Sequence, residues 1–75
     1  MKSEQQLNII STLVNLTNGS NNAVKIAAIS ALGDYEATIE YGIALNRLID
    51  LCNESNKEVV TAAIKSLSKL SPYFR

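Results

Sequence analysis

Carboxylates and a single thiol are among the side chains of this sequence whose chemistry could support catalysis. Asp34, Glu36 and Glu40 form an acidic cluster near the middle of the chain. Paired carboxylates perform acid/base catalysis when a pocket drives their pKa values apart. Nothing around these residues indicates such a pocket, so we interpret them as acids that favour a helix N-terminus. We predict no catalytic residue among them.

Cys52 is the only cysteine, and the chain contains no histidine. A Cys–His nucleophile is therefore excluded, and a zinc site would lack its ligands. We expect Cys52 to be a small buried hydrophobe at the end of a helix. Gly19, Gly33 and Gly42 are isolated and form no phosphate-binding loop. The sequence predicts no enzyme activity, no metal and no cofactor.

Charge and composition restrict the partners. Seven basic and seven acidic residues cancel, and this balance disfavours binding to nucleic acid. No apolar run approaches the roughly 20 residues of a membrane span, and the start of the chain is too polar for a signal peptide. The single cysteine is typical of a reducing compartment, so we predict a cytoplasmic protein. The length of 75 residues predicts one domain.

The elements that would position a binding site occur twice. Shifted by 35 positions, residues 13–32 match residues 48–67 at ten of twenty positions. The matches include Val24 with Val59 and also a polar Asn-x-Ser-Asn turn, which two unrelated amphipathic helices would not share. We infer a true repeat. It predicts similar surroundings for Val24 and Val59. The proposed division is a first unit at about residues 3–35, a second at about 38–70, and a tail at 71–75.

Each unit is predicted to form two helices, because apolar residues recur three and four positions apart. Capping-box patterns, SEQQ and SNKE, begin the first and fourth helices. We expect Gly19 to end the first helix in a left-handed conformation, Gly33 and Asp34 to stop the second, and Gly42 to allow a close approach or a kink in the third. The predicted helices run from about Ser3 to the TNGSNN turn, from Ser20 or Asn21 to about Leu32, from about Thr38 to about Cys52, and from Ser55 or Asn56 to Pro72.

The stretches SNNAVKIAAISALG and SNKEVVTAAIKSLS resemble the second helix of a HEAT repeat. That pattern has an Asp/Asn-rich turn, then Val, an Ala four residues later and a Leu four residues after that. The family's basic residue after the Val is Lys25 in the first unit but Val60 in the second. Tetratricopeptide repeats have a similar period, but Tyr41 and Gly42 are in the wrong order for them. The matching positions are Val24, Ala28, Leu32, Val59, Ala63 and Leu67.

This resemblance implies an all-α fold of four helices, arranged as two stacked antiparallel hairpins in a short α-solenoid. In HEAT-like proteins the second helices line a concave surface that usually carries binding. With Ala28 at the centre of the buried face, helical geometry places Val24 toward the core and Gly33 toward water. Ile29 and Ile64 are expected to pack one unit against the other. The candidate partner-binding residues are Ile26, Ser30, Thr61, Lys65 and Lys69; the alternative is that each is an ordinary solvated side chain.

We therefore expect a non-enzymatic module that binds another protein, or a small regulator or inhibitor that covers part of a larger one. The alternative implied by the resemblance is an accessory to an enzyme activity, such as bilin attachment or DNA binding. We expect Tyr73 and Phe74 to fold back over the end of the stack. Alternatively, a terminal face of the stack forms a homodimer.

Overall fold

The computed structural model describes residues 2–74, and the side chains of residues 4–74. Its four α-helices are α1 (Lys2–Leu16), α2 (Asn22–Asp34), α3 (Gly42–Leu51) and α4 (Lys57–Leu70). Two short 3-10 helices, Glu36–Glu40 and Ser71–Tyr73, precede α3 and follow α4. Helices α1 and α2 form one hairpin and α3 and α4 the other, and α2 packs most extensively against α4. No strand occurs in the described part of the chain, and the predicted all-α fold of two stacked hairpins is confirmed.

Asparagine side chains begin both α2 and α4. Asn21 Oδ1 accepts a hydrogen bond from the backbone N–H of Val24 at 3.0 Å. Asn56 Oδ1 accepts from Glu58 N at 2.9 Å and from Val59 N at 3.0 Å. Such a cap satisfies backbone donors that have no partner inside the helix and contributes about 1 kcal/mol. The cap of α4 is therefore Asn56, one residue later than the SNKE capping box predicts. The SEQQ box depends on the side chain of Ser3, which lies outside the described side chains.

The third helix begins later than predicted. The structure has a 3-10 helix where we expected the first turn of this helix, and α3 starts only at Gly42. Thr38 is fully buried, and its hydroxyl donates to Leu32 O at 2.9 Å. Leu32 O belongs to the last turn of α2, where carbonyls lack helical partners. Thr38 therefore closes α2 instead of opening α3.

A glycine contact sets the distance between α2 and α4. Gly33 is buried inside α2, and a Cβ added to it would lie 2.7 Å from both Cα and Cβ of Ser66. The Ser66 hydroxyl donates to Ile29 O at 2.6 Å across the same contact. A side chain at Gly33 would overlap Ser66, so its absence permits this close packing. The predictions that Gly33 stops α2 and faces water were wrong.

The other two glycines have different roles from those predicted. No glycine among the described residues has a positive φ, so Gly19 does not end α1 in a left-handed conformation. A Cβ added to Gly42 would meet no atom within 4 Å. Gly42 begins α3 and permits no close helix approach, because nothing packs against it.

Equivalent residues of the two hairpins lie in different surroundings. Val59 is fully buried, whereas Val24 is 43% exposed; Ile29 is fully buried, whereas Ile64 is 54% exposed. The prediction that Val24 and Val59 have similar surroundings was therefore wrong. The prediction that Ile29 and Ile64 both pack between the units was wrong for Ile64. The reason is the length of the stack: each hairpin has two flanks, and with two hairpins only one flank of each is covered. The residues on the other flank keep their apolar character but have no neighbour.

Polar contacts fix the second hairpin on the first. Arg47 on α3 donates from Nε to Thr17 Oγ1 at 2.9 Å and from Nη2 to Thr17 O at 3.0 Å, just beyond the end of α1. Lys25 on α2 forms an ion pair with Glu54 at 3.0 Å in the turn before α4. Lys25 and Thr17 are both buried. Because a guanidinium fork needs its acceptors in fixed positions, these contacts specify how the hairpins meet.

The C-terminal aromatic residues do not close the stack. Tyr73 and Phe74 are 45% and 50% exposed. Neither belongs to the buried core nor to the apolar residues packed against it. After α4 the chain continues in a 3-10 helix that contains Pro72, which lacks a backbone donor and cannot extend the α-helix. The expected fold-back of Tyr73 and Phe74 over the end of the stack is therefore not observed.

Candidate functional site

A groove of about 660 Å³ runs between α2 and α4 on one surface of the stack. All five residues that the sequence identified as a partner-binding face line this groove. The base of the groove is the close contact between α2 and α4 at Gly33, and Ser66 contributes to the lining there. The lining residues are Ala23, Ile26, Ser30, Lys57, Glu58, Thr61, Ala62, Lys65, Ser66 and Lys69.

One wall of the groove is a basic stripe on α4. Lys57, Thr61, Lys65 and Lys69 follow each other at intervals of four residues, so they lie on one face of the helix. The interval from the first lysine to the last spans about 18 Å at the helical rise of about 1.5 Å per residue. We call this set the lysine stripe. It presents cations along the whole groove.

The facing wall on α2 carries no charge among its groove residues. Ala23, Ile26 and Ser30 recur three and four residues apart and line this side. Ile26 is half-buried and packs partly against the core, which holds its position while leaving apolar surface in the groove. The groove therefore has a basic wall and a largely apolar one.

The cations of the stripe are only partly neutralised. Lys69 Nζ lies 2.8 Å from Asp34 Oδ1, but both side chains are mostly exposed, so the pair contributes at most about 1 kcal/mol. Lys57 and Lys65 form no ion pair within the described part of the chain. Glu58 is the acid that lines the groove. A chain with no net charge thus has a local positive excess at this surface.

Sequence reasoning missed five lining residues, of which Lys57 matters most for charge. The stripe itself carries the signal, because Lys57 lies four and eight residues before Thr61 and Lys65. The predicted face transfers positions from α2 to α4, and the residue of α2 equivalent to Lys57 is the uncharged Asn22. The comparison between repeats therefore concealed a charge that the periodicity of α4 alone would have shown.

The acidic cluster is divided by the fold. Asp34 pairs with Lys69, while Glu36 and Glu40 line a separate depression of about 340 Å³ together with Gln6, Tyr35, Ala37 and Ile39. Both glutamates are exposed to solvent. Exposed carboxylates lack the burial that acid/base catalysis requires of such a pair. Glu36 lies in the first turn of its 3-10 helix, as expected for an acid near a helix N-terminus.

The remaining candidate groups have structural environments. Cys52 is half-buried, and its Sγ donates to Leu48 O at 3.5 Å. Within residues 2–74, no three Cys, Asp or Glu side chains lie close enough together to hold a metal ion. In the same part of the chain, no helix combines the length and the apolar character needed to cross a membrane.

The comparisons with known proteins agree with the geometry. A family model described as HEAT repeats matches residues 9–72, which include the second half of α1 and all of α2, α3 and α4. No curated protein and no solved structure matches the chain. HEAT repeats generally mediate protein–protein interaction and are typically non-enzymatic scaffolds. Because the match covers most of the sequence and both hairpins, the protein belongs to the HEAT-repeat family.

Proposed function

We propose that this protein is a non-enzymatic interaction module that binds a partner protein in the groove between α2 and α4. The observation that carries the proposal is the groove itself: the five residues chosen from the sequence line one concave surface. In keeping with the single cysteine, we propose that it acts in the cytoplasm.

The two walls indicate the chemistry of the partner. The lysine stripe favours carboxylates, and the apolar wall around Ile26 favours leucine-like side chains. A segment with acidic residues along one edge and apolar residues along the other satisfies both walls at once. Charge complementarity of this kind contributes specificity and a faster association rate. We infer an acidic, partly apolar segment of another protein as the ligand.

Titration by NMR tests this ligand class directly. The probe is a synthetic peptide of alternating glutamate and leucine, and a peptide with glutamine in place of glutamate is the control. We expect amide shifts to concentrate at Ile26, Ser30, Thr61 and Lys65, with weaker binding at higher salt. Shifts centred on α1 or α3, or equal binding of the glutamine peptide, would contradict the proposal.

A pair of charge-matched variants separates the groove from general electrostatics. Lys65→Gln combined with Lys69→Gln removes two positive charges from the stripe, and we expect about tenfold weaker peptide binding. Asn8→Asp combined with Asn15→Asp changes the net charge by the same amount on exposed positions of α1. This control should change the affinity less than about twofold. Equal losses from both variants would leave no role for the groove.

The same groove supports a role as a small regulator that covers part of a larger protein. An activity assay of an acidic partner, with and without this chain, distinguishes regulation from simple tethering. The alternative roles in bilin attachment or DNA binding have less support, because no aromatic side chain lines the groove for stacking. Mixing the protein with a bilin or an oligonucleotide tests them through a spectral or mobility change.

A further inference from the structure

The two ends of the stack expose the two halves of its internal interface. In the first hairpin, Val14 and Ile29 are buried, but their equivalents 35 residues later, Ile49 and Ile64, are exposed. We call the surface around Ile49 and Ile64 the trailing end. In the second hairpin the relation is reversed: Leu51 and Val59 are buried, whereas their equivalents in the first hairpin are exposed.

Leu16 and Val24, the exposed equivalents of Leu51 and Val59, define the leading end. The leading end of one molecule thus has the residue types that the second hairpin uses to cover the first. A second copy of this chain is therefore the natural occupant of the trailing end. Head-to-tail contacts of this kind build an open filament unless their rotation closes a ring.

One further contact would favour such stacking. Asp34 and Lys69 are themselves repeat equivalents, 35 residues apart, and they form an ion pair within one molecule. Stacked copies would place Lys69 of one molecule beside Asp34 of the next. Both the apolar ends and the opposite charges of Lys69 and Asp34 would favour self-association.

The close contact at Gly33 does not repeat at the trailing end. The equivalent of Gly33 is Ser68, and the equivalent of Ser66 is Ala31. A Cβ at Gly33 would lie 2.7 Å from Cα and Cβ of Ser66. Ser68 already has a Cβ, and Ala31 of an incoming copy has the same two atoms as Ser66. In the geometry of the internal interface, these residues would overlap.

The trailing end also lacks the residues that would repeat two polar contacts of the internal interface. Within one molecule, Ser66 Oγ donates a hydrogen bond to Ile29 O at 2.6 Å. Ala31 of an incoming copy has no hydroxyl and could not form the equivalent bond. The repeat equivalents of Lys25 and Glu54, which form an ion pair within the molecule, are Val60 and Gly19. Neither of these side chains is charged, so they cannot form an ion pair. The trailing end therefore combines an apolar surface with a steric obstacle, and it replaces neither of these two polar contacts.

We infer that Ser68 prevents copies of this chain from stacking head to tail. The expected homodimer through a terminal face is then blocked in the wild-type protein by one exposed side chain. Removal of that side chain opens the trailing end to the leading end of a second copy.

Light scattering coupled to size-exclusion chromatography, across a wide concentration range, tests this inference. Wild-type protein should have the mass of one chain, and Ser68→Gly should associate about 10- to 100-fold more tightly, as expected when an overlap of this size is removed. Ser68→Ala retains the Cβ and should remain monomeric. Ser68→Gly with Val24→Glu should lose the assembly, because the charge lies on the leading end.

Each other outcome overturns the inference. A folded Ser68→Gly protein that stays monomeric shows that Ser68 is not the obstacle, and a wild-type protein that assembles equally well shows the same. Assembly that survives Val24→Glu uses another surface. Circular dichroism establishes that each variant is folded. If the new glycine unfolds α4, Gly42→Ala is added to offset the lost helix stability, since Gly42 has open space around it.

Discussion

Replacing Gly33 with alanine tests the packing on which the whole stack depends. In most helices this change is stabilising by about 1 kcal/mol, because alanine is the better helix former. We expect the opposite sign here. The new Cβ would lie 2.5 Å from Ser66 Oγ and 2.7 Å from Ser66 Cα and Cβ. Rotation of the hydroxyl cannot relieve contacts with Cα and Cβ, so the two helices must move apart.

The magnitude follows from three contributions. Overpacking of a close contact costs about 1–3 kcal/mol. Displacement of the Ser66 hydroxyl from Ile29 O leaves a buried polar group without its partner, at a further cost of about 1–3 kcal/mol. The gain in helix propensity offsets about 1 kcal/mol. We predict a net loss of about 3 kcal/mol in the free energy of unfolding, and a Tm about 15 °C lower.

Urea and thermal unfolding, followed by circular dichroism, measure this change. Gly42→Ala is the matched control, because a Cβ at that position meets nothing within 4 Å. It should leave stability unchanged or raise it by up to about 1 kcal/mol, through the reduced freedom of the unfolded chain. If Gly33→Ala proves as stable as Gly42→Ala, the close α2–α4 contact does not exist as described.

Two further predictions concern the interface between the hairpins. Ile29→Ala should cost about 3 kcal/mol in urea unfolding, whereas the same change at its repeat equivalent Ile64 should cost less than about 1 kcal/mol, because only Ile29 is buried. Equal losses would mean that both ends of the stack are covered. Arg47→Lys should lower stability by about 1–2 kcal/mol, since lysine cannot make both bonds to Thr17. A double-mutant cycle with Thr17→Val should show a coupling above about 0.5 kcal/mol, and additive effects would exclude this contact.

The architecture could be predicted because it rests on periodicity. Apolar residues three and four apart define α1, α2 and α4, and the shared Asn-x-Ser-Asn turn marks the start of the second helix in each hairpin. The position of α3 could not be predicted in the same way. It depends on Thr38 reaching back to Leu32 O, a tertiary contact that competes with continuous helix from the same residues.

The candidate site could be predicted in part for the same reason. Helical geometry places Ser30 and Lys65 on the water side of their helices, and the packing of α2 on α4 brings them to one groove. The burial of individual residues follows a different rule. Val24 and Ile64 carry the signature of core positions, but burial also requires a neighbouring hairpin, and periodicity within one helix holds no information about that neighbour.

The polar contacts between the hairpins bear on how the protein folds. Lys25 with Glu54, Thr17 with Arg47, and Ile29 with Ser66 are separated by 29, 30 and 37 residues along the chain. Neither hairpin contains both partners of any of these contacts, and without α4 the side chain of Ile29 would remain in water. The first hairpin is thus unable to complete its own interior, and we expect the two hairpins to fold as one cooperative unit. For the same reason, a proteolytic cut between the hairpins should destabilise both of them.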